Sequence, residues 1–209
     1  MRACIGRLAG VTAAAPVAAG AITCAVAEGG GSSPGAPAAG SADAGFARDM
    51  AVHHQQAVGM SYLVRDRTKN AEVRRVAYDI AQTQADQRGM LLGRLDPWGP
   101  PKTSAKPPMS WMGMGGGTPG RGDGSLMPGM ATGAELRRLG TLDGKQAEIL
   151  CLQLMTAHHQ GGVHMAEGCV ARCTVGVERD LARGMVSARR SELAQMADML
   201  KERGAQARS

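Results

Sequence analysis

The sequence predicts an all-α protein: a four-helix bundle made of two duplicated helical hairpins, with a long Gly/Pro/Met-rich crossover connection between them. Three observations carry this. The 209 residues include one Phe, two Tyr and two Trp, so a core must be built from Leu, Met, Val and Ala, which suits close-packed helices better than a β-sandwich. Glycine (30) and proline (10) concentrate before residue 45 and between residues 96 and 130, leaving two helix-compatible stretches. Those stretches repeat each other at a shift of 105 residues, which places Met50 on Met155, His53 on His158, His54 on His159, Gln56 on Gly161, Met60 on Met165, Leu91 on Met196 and Leu95 on Leu200.

Residues 1–7 carry Arg2 and Arg7 and no acid, and residues 8–27 are an uncharged run of small and apolar residues, the order of a signal peptide. Pro16 and the many Ala and Gly residues make this run weakly apolar for a permanent membrane helix. Two processing routes stay open. One cuts after the small-residue pattern Ala25, Val26, Ala27; the other cuts before Cys24 and leaves a lipid-modified cysteine as a membrane tether, although Ala21, Ile22 and Thr23 make a poor box for it. Either route puts the mature chain outside the cytoplasm. Residues 28–43 read as a flexible Gly/Ser/Pro/Ala tether.

Residues 44–204 read as the helical domain. Apolar residues recur at helical spacing over a first hairpin, 44–95, with a turn near Thr68, Lys69 and Asn70, and over a second, 134–204, with a turn at Thr174, Val175 and Gly176. The linker, 96–133, is too rich in Gly and Pro to be a helix; it holds Met109, Met112, Met114, Met127 and Met130 in a segment with no evident core to fill. Without residues 1–27 the chain keeps 22 basic and 18 acidic residues. The basic excess is not gathered into one run, and so few rings for bases to stack on count against nucleic-acid binding. Cys151, Cys169 and Cys173 are too few and too close together for a disulfide framework, so stability is expected from helix packing, with at least one thiol free.

The chemistry concentrates in the histidines and methionines. All five histidines, His53, His54, His158, His159 and His164, lie on the two matching helices. At about 100° per residue, Met50, His53, Ala57 and Met60 form one stripe with His54 beside it, and Met155, His158, Gly162 and Met165 form the equivalent stripe beside His159. Imidazole and thioether donors suit copper, Cu(I) above all, far better than Mg, Ca or Mn. Neither helix has the Glu-x-x-His pairing of di-iron carboxylate bundles: Asp49 lies one turn before His53, but its counterpart is Leu154. The candidate metal ligands are therefore Met50, His53, His54, Met60, Met155, His158, His159 and Met165. Cys151 and Cys169 fall on the same stripe as possible extra donors or as small core residues, and His164, matched by Gly59, is expected to be exposed or to flank the ligands. On the second helix of each hairpin, Gln84 and Gln87 align with Arg189 and Glu192; these are polar groups of a hydrogen-bonded or solvated face, or else Gln87 and Glu192 orient the imidazoles from behind.

Residues 49–60 (DMAVHHQQAVGM) and 154–165 (LMTAHHQGGVHM), with residues 128–132 (PGMAT) ahead of Glu135 and Leu136, resemble the domain of unknown function 305 family over roughly residues 44–204. The resemblance implies an exported, ferritin-like four-helix bundle, often a lipoprotein, with copper binding and tolerance among some relatives and no established enzyme activity. The chain departs from the family pattern at Gly161 and Gly162, where Gly-Ala is more usual, and at Gln87, where an acid is common. Four function classes follow: an extracytoplasmic copper-binding protein that buffers, stores or hands on the ion; a haem-binding electron-transfer bundle using inward Met and His; a metal-dependent oxidoreductase with an open coordination position; and a helical interaction module with structural histidines.

Overall fold

The computed structural model describes residues 35–114 and 125–208. The expected signal peptide, most of the tether and Cys24 lie outside the described residues. Helix α1 spans Ala42–Arg67, α2 Ala71–Trp98, α3 Gly133–Thr141, α4 Gly144–Arg172 and α5 Gly176–Glu202, with one 3₁₀ turn at Ser110–Met112. The fold is all-α, a bundle of four long helices in which α1 pairs with α2, α4 pairs with α5, and α1 crosses α4.

Each boundary has a local cause. Ser41 caps α1 by accepting from the Ala44 N–H, and Asn70 caps α2 by accepting from Val73 N–H at 3.0 Å, so the polar break at residues 68–70 is the first hairpin turn. Gly99 ends α2 in the left-handed conformation, at φ 86°, which only glycine adopts at little cost. The sequence reading merges α3 and α4 into one helix, and the structure separates them. Thr132 and Glu135 form a reciprocal capping box at the start of α3, and the backbone is extended at Leu142 and Asp143 before α4 begins.

Two apolar clusters fill the bundle. One gathers Met60, Val64, Ile80, Leu150, Met155 and Leu200; the other gathers Phe46, Met50, Leu91, Leu95, Met165 and Met185. The linker methionines correct the expectation that they have no core to fill: Met109, Met127 and Met130 are buried in the second cluster and Met112 packs against it. In a core this poor in aromatics, flexible thioethers from the connection take up the space that rings would otherwise occupy. Asp49 anchors this packing by accepting from Met109 N–H at 2.7 Å and Trp111 Nε1–H at 2.9 Å. Burial pushes its carboxyl up from the usual range while those two donors and Arg48 pull it back. Helix glycines make the seats: a Cβ on Gly45 would lie 2.5 Å from the Trp111 ring, and one on Gly168 would lie 2.5 Å from Met112.

The cysteine reading changes as well. Cys169 and Cys173, one helical turn apart, form a disulfide at the end of α4, and among the described residues Cys151 is the free, buried thiol. Beside this end, buried Asp43 accepts from the backbone N–H groups of Thr174 and Val175 and so ties the start of α1 to the α4–α5 turn. Among the described residues, no helix is long and apolar enough to cross a membrane.

Candidate metal centre

The repeat places its two halves face to face. Cys151 Sγ lies 3.9 Å from the Met60 carbonyl and His158 Nε2 lies 2.9 Å from the His53 carbonyl, so α1 and α4 run antiparallel with their histidine motifs level. His53 and His158 are themselves repeat partners, and their rings meet at 3.7 Å between centroids with a 32° tilt. His159 lies 6.2 Å from His158. All four rings are fully buried. The thioethers flank this layer on both sides, Met60 and Met155 in one apolar cluster and Met50 and Met165 in the other.

Every ring is held from behind through Nε2. His158 donates to the His53 carbonyl, His53 points at the Pro128 carbonyl at 3.4 Å, and His159 meets the Glu192 carboxylate at 2.6 Å. A carbonyl or carboxylate can only accept, so these three rings carry their proton on Nε2 and leave a lone pair on Nδ1. His54 Nε2 lies 3.0 Å from Gln87 Oε1 and 3.3 Å from Arg189 Nη2, with an acceptor and a donor both beside it. The Nδ1 atoms of His53, His54 and His158 are buried and have no hydrogen-bond partner among the described residues, while the Met155 backbone also lies against His159. Burial, above all, holds the four imidazoles below their ordinary range, helped by their neighbouring rings and by the Arg189 guanidinium. They are neutral, so the free lone pairs are not blocked by protons.

Gln87 and Glu192 each meet one imidazole, Gln87 that of His54 and Glu192 that of His159. Arg189 does not read as a solvated residue: it is 1% exposed, sits between His54, Gln87 and Glu192, and its pKa is lowered by burial to about 10. It stays a cation at neutral pH, inside the histidine layer. Its repeat counterpart Gln84 is buried too, with an amide that has no partner among the described residues. The signal for Arg189 lay in Gly162, since a Cβ there would come within 3.0 Å of Arg189 Nε and 3.4 Å of His53 Cε1. Its neighbour Gly161 admits the linker: a Cβ there would lie 2.0 Å from the Pro128 carbonyl oxygen. Gln56, its repeat counterpart, grips the same strap by donating to Ala131 O at 2.9 Å and accepting from Ala131 N–H at 2.7 Å.

Among the described residues, no group of three or more His, Cys, Asp or Glu side chains is gathered around one point. The donor set is imidazole with thioether, which fits a soft monovalent ion and not a hard divalent one. Cys169 is committed to its disulfide, and Cys151 is a buried thiol pushed up by burial to about 12, in the position equivalent to Phe46. His164 is exposed, outside the histidine layer.

The fold and site define a duplicated four-helix bundle with a buried histidine–methionine layer. The chain belongs to the DUF305 family, the domain of unknown function whose model matches residues 43–200. A crystal structure described as "putative secreted protein DUF305 from Streptomyces coelicolor" is 67% identical, with a TM-score of 0.76, over 82% of this chain and 99% of that one. A DUF305 fragment from Deinococcus radiodurans is 28% identical, with a TM-score of 0.63, over 82% and 98%. CopM in its Cu(II)-bound form is 20% identical, with a TM-score of 0.56, over 77% and 96%, and shares the fold. No curated protein matches the chain.

Proposed function

We propose that this protein is an exported copper-binding bundle that takes up Cu(I) and buffers, stores or hands on the ion. The observation that carries the reading is the set of four buried, neutral imidazoles with Nε2 already engaged, among which the facing His53 and His158 have no partner at Nδ1. A buried acceptor left unmade costs about 1–3 kcal/mol, so the facing Nδ1 lone pairs of His53 and His158 ask for a ligand. His53, His54, His158 and His159 would supply nitrogen, and Met50, Met60, Met155 and Met165 thioether sulfur. The Pro128 and His53 carbonyls, Gln87 and Glu192 hold the rings in place. Arg189 adds charge discrimination, because a buried guanidinium repels a divalent ion about twice as strongly as a monovalent one. The fold shared with CopM, a protein seen with Cu(I) and Cu(II), agrees with copper. A haem between the facing histidines fits less well, since the His53 and His158 rings already touch and leave no gap for a macrocycle.

Export is supported by the signal-like residues 1–27 and by the description of the Streptomyces coelicolor relative. The mature chain is either released or tethered through Cys24. Elemental analysis of the protein expressed with its own N-terminus tests the reading, and mass spectrometry of the mature end separates the two routes. Copper retained through purification is the expected result; a protein that neither retains copper nor binds it on reconstitution would be a structural or partner-binding bundle.

A further inference from the structure

A groove of about 590 Å³ lies between the linker and α4. Among its lining residues are Met109, Met114, Met127, Met130 and His164, four thioethers and one imidazole. Met109, Met127 and Met130 are buried and form the floor, while Met114, 44% exposed, and His164 stand at the rim. The only carboxylate of the lining among the described residues, Glu135, is spent: it accepts from Thr132 N–H at 2.9 Å, completes the capping box of α3 and pairs with Arg208. A soft cation finds sulfur and imidazole nitrogen there.

The groove breaks the internal symmetry, and so does its histidine. His164 has Gly59 as its counterpart, so the extra imidazole occurs only on the half over which the linker lies. The linker reaches this face because Gly161 leaves room for Pro128, and it is pinned there by Gln56 and Asp49. Pro128 lines the groove and also faces His53 Nε2, so one layer of backbone separates the groove from the buried imidazoles.

We propose that this groove is a second, outer site for a soft monovalent metal ion, held by Met114, Met127 and His164 over a methionine floor. It receives Cu(I) from solvent and presents it beside the inner histidine layer. The inference deepens the copper reading and has its own test.

Ag(I) serves as a redox-inert probe of the same chemistry. The full exported chain, labelled at its methionine methyl carbons, is titrated with Ag(I) and followed by NMR, in wild type, in a Met114→Leu/His164→Ala variant and in a His53→Ala/His158→Ala variant. The expected result is that the Met114 and Met127 methyls shift on binding in wild type, that the rim variant loses the Met127 shift and one bound ion, and that the inner variant keeps both shifts. If the Met114 and Met127 methyls stay in place throughout, or the rim variant binds as many ions as wild type, the outer site is wrong. If the outer methyls shift and those of Met50, Met60, Met155 and Met165 do not, the outer site stands and the inner reading fails. No response anywhere removes both.

Discussion

Replacing Gly161 with alanine tests the seating of the linker over the metal centre. In an open helix position, Gly→Ala stabilises by roughly 0.5–1 kcal/mol through backbone entropy. A Cβ added to Gly59, in α1, would meet nothing within 4 Å, so Gly59→Ala is the control that shows this gain. At Gly161 the new Cβ would lie 2.0 Å from the Pro128 carbonyl oxygen, 2.6 Å from its carbon and 3.1 Å from the Gly129 Cα, all of them backbone atoms. The strap cannot rotate a side chain out of the way. It must lift, against Gln56 holding Ala131 and Asp49 holding Met109, and lifting it takes the Pro128 carbonyl from His53. Overpacking of this kind costs about 1–3 kcal/mol, which exceeds the helical gain. Set against the helical gain the net cost is up to about 2.5 kcal/mol, and for a domain of this size each kcal/mol moves Tm by about 2–4 °C, so Gly161→Ala should lower Tm by up to about 10 °C while Gly59→Ala raises it slightly. Thermal unfolding followed by far-UV circular dichroism reads both. A Gly161→Ala variant stabilised as much as Gly59→Ala would refute the contact between strap and helix.

Arg189→Met removes the buried cation, and Cu(II) affinity should rise about tenfold more than Cu(I) affinity, the factor that about 1.4 kcal/mol of relieved repulsion supplies; paired chelator competitions measure it, and an equal change for both ions would contradict the charge argument. Glu192→Ala takes away the carboxylate behind His159 and should weaken Cu(I) binding by roughly 10–100-fold with helicity unchanged. The four imidazoles are held below their ordinary value in the folded state, so below about pH 6.5 the unfolded chain binds more protons than the folded one. Their contribution to stability is therefore present above that pH and lost as pH falls below it. Urea unfolding between pH 7.5 and 4.5 should show a steeper loss in wild type than in His53→Gln/His158→Gln, and equal slopes would count against burial of the neutral rings.

Much of the fold was legible because the repeat carries it. The duplicated Met-x-x-His-His stripes at helical spacing imply buried, facing histidines, and the rings of His53 and His158 do touch. Gln87 and Glu192 were legible as one-turn polar pairs on the companion helices. The linker was not, because a Gly/Pro-rich segment has no period from which the burial of Met109, Met127 and Met130 could be read. The trace it leaves is on the helices, at Gly45, Gly161 and Gly168, small residues that the helix itself does not ask for. Arg189 was hidden for a similar reason: charge reads as exposure until Gly162 is seen to make its space. The Cys169–Cys173 pairing was missed because counting cysteines for a framework overlooks two thiols one turn apart.

The most direct measurement is a Cu(I) titration of the exported protein against a competing chelator, run beside the His53→Ala/His158→Ala variant with its helicity checked. Wild type should hold Cu(I) against the chelator and the variant should lose its tightest site. Equal Cu(I) affinity in the two proteins would contradict the claim that the buried histidine layer is the metal centre.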